Sequence, residues 1–211
     1  MRTLVLVRHG ETVGNSSVRY HGRTDVELSE LGRAQMRAAR RWLQRRFGAA
    51  RFAPVIASPL RRATEGASIV AGAEMSIIEI EEFVEVDFGR FEGLTAEEIR
   101  LRYPADFERW NSDPIDPGFT YPGGESRAKF ADRVERGINR LLEVIADAPA
   151  VEERAALVVA HRGVIRIIAN RLTGAEPVIE LGSIQVLRRD AMVGEWRAEL
   201  IDVVEHLAGV E

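Results

Sequence analysis

Two of the four histidines in this chain stand beside arginines at points where an apolar run stops. His9 follows Arg8 after "LVLV" (4–7), and His161 precedes Arg162 after "AALVVA" (155–160). A third apolar run leads into "SPLRRAT" (58–64), which holds Arg61 and Arg62. Between the second and third of these places lies "EEFVEVDFGRFEGL" (81–94), with acids at Glu81, Glu82, Glu85, Asp87 and Glu92. A planar guanidinium donates paired, charge-assisted hydrogen bonds to two oxygens of a tetrahedral anion, so two arginines and a histidine make a phosphate clamp. Inside such a clamp a second imidazole can attack phosphorus, and the phosphohistidine formed divides one hard displacement into two easier ones. The attacking nitrogen must be unprotonated, and surrounding positive charge favours the neutral ring. A buried carboxylic acid could protonate the leaving oxygen and later take a proton from the attacking water. By residue type alone, any of the five acids could fill that role.

These residues lie far apart in sequence, so the elements that carry them must bring them together. The runs 3–7, 54–59 and 155–161 are apolar throughout, as strands buried on both faces require. Each precedes a helical pattern. Residues 29–47 place Leu31, Ala34, Ala38 and Trp42 on one side, with Ser29 as the cap, and read Trp42 as core. Further helices are expected over 59–71, 124–146 and 164–172. Strands alternating with amphipathic helices predict an α/β fold on a mainly parallel sheet. The runs 75–80, 183–189 and 196–203 add strands, the last two joined through Gly194 as an edge hairpin. Open parallel sheets bind ligands beyond the carboxyl ends of their strands, where Arg8, His9, Arg62, His161 and Arg162 all fall. Gly10 is expected to let the backbone turn close to the bound phosphate. Residues 93–125 break the pattern with short helical pieces and a Pro/Gly-containing loop, an excursion over that end of the sheet. Trp110, Phe119 and Tyr121 within it would serve either lid packing or a leaving-group pocket.

The chain has 211 residues, 45% of them hydrophobic, enough for a real core, and it reads as one domain over 1–211. A net charge of −4, with arginines interleaved among 33 acids, gives no general attraction to nucleic acid or anionic membrane. No apolar run approaches bilayer length and the amino terminus lacks a leader pattern, so a cytoplasmic protein is expected. The absence of cysteine excludes disulfides and thiol catalysis. No helical His pair or short His/Asp cluster supports a metal site. An exposed edge strand would favour a homodimer.

"RHGET" (8–12) with Asn15, "SPLRRA", "EVDFGRFEG", "PGGES" and "AHRGVIR", in that order, resemble the signature of the histidine phosphatase superfamily, the phosphoglycerate mutase-like family. The resemblance runs from about residue 4 to 166. It implies a three-layer α/β/α sandwich with a small lid from the 93–125 excursion. It implies further that His9 accepts the phosphoryl group, that Arg8 and Arg62 (rather than Arg61) bind it, and that His161 is the second histidine of the site. Glu85, three residues before the Phe88–Gly89 pair, takes the family's proton-donor position, and Asn15 that of a phosphoryl contact. His21, Gly22 and Arg162 fall at substrate-binding positions. Three residues depart from the usual pattern: Arg162 where glycine commonly follows the second histidine, His21 where a small polar residue or glutamine is frequent, and Phe91 in place of tryptophan. They bear on specificity. The implied activity is acid-type hydrolysis of a small phosphorylated metabolite, independent of metal and cofactor. The alternatives are a phosphoglycerate mutase-type phosphotransferase, which would carry a longer insertion between Glu85 and His161, and a non-catalytic phosphate-binding regulatory module.

Overall fold

In the computed structural model, which describes residues 2–48, 52–113, 116–148 and 155–210, the apolar runs assemble into one six-stranded sheet. Its strands are β1 (Arg2–Arg8), β2 (Val55–Ala57), β3 (Ile77–Glu79), β4 (Ala155–Ala160), β5 (Ile184–Arg189) and β6 (Trp196–Val203), in the order β3-β2-β4-β1-β5-β6. The four strands β3, β2, β4 and β1 run parallel, β5 is antiparallel to β1, and β6 returns antiparallel to β5 through a turn at Gly194. Successive side chains of a strand point to opposite faces, and both faces are covered. Leu4, Leu6, Ile56 and Val158 pack with Val134, Ile138 and Leu141 of α5 (Arg127–Asp147) and Val164, Ile165 and Ile168 of α6 (Arg162–Thr173). Val5, Val7, Val55, Leu157 and Val159 meet Met36, Ala39 and Leu43 of α1 (Glu30–Phe47) and Ala63 and Ala67 of α2 (Arg61–Ala71). The result is the expected α/β/α sandwich. Each large aliphatic side chain so buried contributes about 1.5–3 kcal/mol.

The helix starts carry the differences from expectation. Ser29 does cap α1, its hydroxyl accepting from the Gly32 amide at 3.1 Å. The buried face keeps Ala38 as expected but is rotated toward Gly32, Met36, Ala39 and Leu43, while Leu31, Ala34 and Trp42 are only half-buried. Gly32 sets this rotation because the first turn of α1 lies directly on the backbone of Gly10 and Glu11, a contact that hydrophobic periodicity does not register. Trp42 lies at the margin of the core, where its Nε1 donates to Glu205 at 2.7 Å. The second helix begins at Arg61 rather than 59, and α5 begins at Arg127, capped by Ser126. Residues 124 and 125 are held elsewhere: the Glu125 amide donates to the Asp87 carbonyl at 3.0 Å, and Gly124 leaves no room for a side chain against Asp87 and Gly89. The sixth helix begins at Arg162, which makes His161 its N-cap residue.

The excursion forms α3 (Ala96–Arg102), opened by a reciprocal capping box between Thr95 and Glu98, and α4 (Pro104–Ser112), with proline in its first turn. Pro114 and Ile115 of the expected loop lie outside the described residues. Phe119 and Tyr121 are buried, and Tyr20, Phe88, Phe91, Phe107 and Trp110 join them through edge-on and tilted ring contacts with centroids 5.0 to 6.1 Å apart. These aromatics pack on one another. The unit is pinned to the sheet end by Arg19, which pairs with Glu98 at 2.6 Å and donates to the Gly93 carbonyl at 2.7 Å. At the far edge, β6 carries Arg197 and Glu199 and its pairing with β5 has register shifts, features that discourage edge-to-edge association.

Candidate active site

The carboxyl ends of β2, β4 and β1 lie side by side, and hydrogen bonds hold their exits together: the His9 amide donates to Ala160 and the Ser58 amide to Val159, both at 3.1 Å. His9, Arg62, Glu85 and His161 are all buried there. The two imidazole rings are 5.1 Å apart between centroids and inclined at 64°. His9 Nδ1 lies 2.7 Å from the Gly10 carbonyl oxygen, which can only accept. Nδ1 therefore carries the proton, and in the neutral ring Nε2 presents a lone pair. Burial, reinforced by the charges of Arg62 and Arg8, holds the His9 pKa well below the ordinary imidazole value. Burial also depresses His161, with Arg62, His9 and Arg8 adding to it; its Nε2 lies 2.7 Å from the Ser58 hydroxyl.

Both arginines are aimed by backbone carbonyls. Arg62 donates through Nη1 to Thr24 at 2.8 Å and through Nη2 to Gly22 at 2.6 Å. Arg8 donates through Nη1 to Ile179 at 3.0 Å, and burial lowers its pKa to about 10 against the opposing pull of Glu85. Two buried nitrogens, Arg8 Nε and His161 Nδ1, have no hydrogen-bond partner among the described residues. Unsatisfied buried polar atoms are uncommon in native proteins, and two beside one histidine pair mark a place for a polar ligand.

Burial separates the five acids. Asp87 accepts from the Gly89 amide at 2.8 Å, and Glu92 accepts from the amides of Arg23, Thr24 and Phe88, fixing the loop that carries the carbonyls facing Arg62. Glu81 is exposed and Glu82 half-buried. Glu85 alone of the five is buried, and its charge acts on both Arg8 and Arg62. Its oxygens accept from the amides of Val86 and Gly163, both at 3.0 Å. A β-carbon on Gly163 would stand 2.6 Å from Glu85 Oε1, so a side chain there would push the carboxylate away from the start of α6. Arg133 of α5 fixes the same segment by donating to the carbonyls of Glu82 at 2.9 Å and Val84 at 2.7 Å while pairing with Glu125 at 2.7 Å.

The remaining expected residues are placed differently. Arg61 is exposed and pairs with Glu27 at 3.2 Å, outside the pocket. His21 is half-buried, with Nδ1 3.2 Å from the Thr12 hydroxyl, and its charge acts on His9. Gly22 contributes the carbonyl that orients Arg62, and a side chain there would collide with Glu92 and Val86. Arg162 is exposed, and its charge acts on Arg8 and Tyr20. Asn15 sits in a left-handed turn (φ 63°) on the surface, its carbonyl accepting from Val18 and Arg19. Gly10 owes its smallness to the helix: a β-carbon would lie 2.5 Å from the Gly32 carbonyl oxygen. Ser58, Thr24, Arg133, Gly163 and Ile179 were not anticipated as site residues. Ser58 and Gly163 belong to the recognised blocks and were open to notice. Thr24 and Ile179 act through main-chain carbonyls, for which side-chain identity gives no signal. Among the described residues, no group of three or more His, Asp or Glu could hold a metal ion.

A three-layer α/β fold that collects two neutral histidines, two carbonyl-anchored arginines and a buried carboxyl group at one end of its sheet is built to hold a tetrahedral anion. Residues 4–192 match the sequence model of the histidine phosphatase superfamily (branch 1), and the chain belongs to that family. It is 40% identical over 140 residues to a bifunctional protein of Mycobacterium tuberculosis, a match covering 66% of this chain and only 37% of that protein. With the glucosyl-3-phosphoglycerate phosphatase of Mycolicibacterium vanbaalenii it shares 31% identity over 176 residues, 82% of this chain and 75% of the relative. The solved structure of a mycobacterial glucosyl-3-phosphoglycerate phosphatase in complex with VO3 superimposes with a TM-score of 0.78 at 27% identity, covering 97% of this chain and 100% of that one.

Proposed function

We propose that this protein is a phosphomonoester hydrolase that acts on a small phosphorylated metabolite through a phosphohistidine, with residues 93–125 as the lid of one domain. The observation that carries the reading is the free lone pair of His9 Nε2 beside two buried, unpartnered nitrogens, Arg8 Nε and His161 Nδ1. Arg8 and Arg62 hold the phosphoryl oxygens, and neutral His161 donates its Nδ1 proton to one of them while Nε2 accepts from the Ser58 hydroxyl. His9 Nε2 attacks phosphorus as the ester P–O bond breaks, and Glu85 gives its proton to the departing oxygen. Water then attacks the phosphohistidine, the P–N bond breaks, and Glu85 takes the proton back. The nucleophile and the acid–base group are both side chains, so the scheme uses no metal or cofactor. Asn15, on its turn, reaches the phosphoryl group once it is bound, and His21 and Gly22 shape the rim beside Arg62.

Arg162 bears on the substrate. As the first residue of α6 it stands at the positive end of the helix and within the field of Arg8, two unfavourable placements for a cation. An anionic group on the leaving side of the substrate offsets both. The kinship with glucosyl-3-phosphoglycerate phosphatases fits a leaving group of that charge.

The test is phosphate release from p-nitrophenyl phosphate and a panel of sugar phosphates, phosphoglycerates and nucleotides. Phosphate release from members of the panel is expected, together with an acid-labile phosphoryl label that His9→Ala abolishes. Phosphoryl exchange between phosphoglycerates without phosphate release would show a mutase, and a label that survives in His9→Ala would refute the nucleophile.

A further inference from the structure

We propose that Asp202, on the edge strand β6, is a positioning residue for the guanidinium of Arg8 and acts through the buried peptide of Ile179. The proposal rests on Arg8 being a phosphoryl ligand. Ile179 is 1% exposed, and its carbonyl receives the hydrogen bond from Arg8 Nη1 at 3.0 Å. It also adopts φ 61°, in the left-handed region that a β-branched residue seldom occupies. Asp202 is in the same region at φ 54°, and the two residues are bonded to each other. One Asp202 oxygen accepts from the Val178 amide at 2.7 Å and the other from the Ile179 amide at 2.9 Å.

A carboxylate that holds two successive amides fixes the chain on the amino side of Ile179, and the unusual φ then sends the Ile179 carbonyl to Arg8. Asp202 is held in turn. Its amide donates to Gln185 Oε1 at 2.6 Å, and the Gln185 side chain, fully buried on β5, donates back to Asp202 at 3.4 Å and to the Ser183 hydroxyl at 3.2 Å. The Ser183 carbonyl accepts from the Arg8 amide at 3.1 Å. The network therefore reaches Arg8 twice, at its main chain through Ser183 and at its guanidinium through Ile179. Two sterically disfavoured conformations joined in one clip persist only where the surroundings over-determine them, and such strain collects at sites that need a preorganised group. Arg8 is that group. With Nη1 anchored, its unpartnered Nε is kept in one direction; without the anchor, the guanidinium must be ordered by the ligand itself.

The experiment is binding of inorganic phosphate to the unphosphorylated protein, measured by titration calorimetry. In Asp202→Gly the carboxylate is lost while glycine tolerates the left-handed backbone, so the fold is retained. Phosphate affinity is expected to fall about tenfold, as for loss of one buried charge-assisted contact. Asp202→Asn, with one accepting oxygen left, should fall between Asp202→Gly and the wild type. In an Arg8→Gln background, Asp202→Gly should add no further loss, because the two act as one unit. Wild-type affinity in both Asp202 variants, or an undiminished effect in the Arg8→Gln background, overturns the proposal. Phosphate binding without turnover would sink the hydrolase reading alone; a wild-type protein that binds no phosphate would sink both.

Discussion

At the scale of single residues, the site is defined by which groups are charged and which are not. Glu85 is the buried acid of its run, and Gln in its place keeps the shape while removing the group proposed to move the proton. Turnover of substrates with basic leaving groups should fall by about 10²–10⁴, while aryl esters with acidic leaving groups lose much less. Steady-state rates across a leaving-group series check this, and an equal loss throughout would leave Glu85 only an electrostatic role. His9 and His161 titrate below the ordinary imidazole range because burial and the arginines disfavour their cations. In the unfolded chain each takes its proton near about 6.5. Between the folded and unfolded values the unfolded state binds more protons, so stability rises with pH. The contribution is complete above about 6.5 and is lost as pH falls from there toward the folded values. Thermal unfolding followed across that window should show Tm falling with acidity, and more gently in His161→Gln.

At the scale of elements, two close contacts place the chemistry. The first turn of α1 rests on the β1 exit through Gly10 and Gly32, and Gly32→Ala would drive a methyl into the Glu11 carbonyl. A loss of about 1–3 kcal/mol in urea unfolding is expected, the usual cost of overpacking. Ser29→Ala, which removes the cap and the 3.3 Å hydrogen bond from its hydroxyl to the Glu11 carbonyl, should cost about 1 kcal/mol. At the α6 start, a methyl on Gly163 meets Glu85 and Phe130. Gly163→Ala should therefore lower kcat for poor leaving groups more than it lowers Tm, since the carboxyl group is the nearer of the two contacts and the freer to move. The blocks "SPLRRA" and "AHRGVIR" marked which residues matter here, but not that Ser58 would bond His161 or that Gly163 would carry the Glu85 contact.

For the whole molecule, the proposed phosphate pocket, made from β1, β2, β4 and the 81–92 segment, is assembled only in the folded chain. Inorganic phosphate should therefore stabilise the protein by linkage, by about 2.7 kcal/mol at a hundredfold excess over Kd. Calorimetric Tm measured against phosphate concentration tests this, and a Tm that ignores phosphate in the wild type would contradict the pocket. Arg62→Gln should remove most of the shift, because it deletes a buried cation from the clamp. No helix among the described residues is long and apolar enough to cross a membrane.

The sequence by itself determined the architecture and named the residues that the fold gathers at one end of the sheet. Period and apolar run length follow from local geometry, and His9, Arg62, Glu85 and His161 lie in blocks whose order and spacing can be read along the chain. Even so, Glu85 stood out from Glu81, Glu82, Asp87 and Glu92 only by resemblance. Tertiary structure separates it physically, since of the five Glu85 alone is buried, beside Arg8 and Arg62. It also decided that the 91–121 aromatics pack on one another, that α1 turns its Gly32 face inward, and that the carbonyls of Gly22, Thr24 and Ile179 aim the arginines. Those contacts are made by backbone atoms that every residue shares, and which of them meet is fixed only when distant segments pack together.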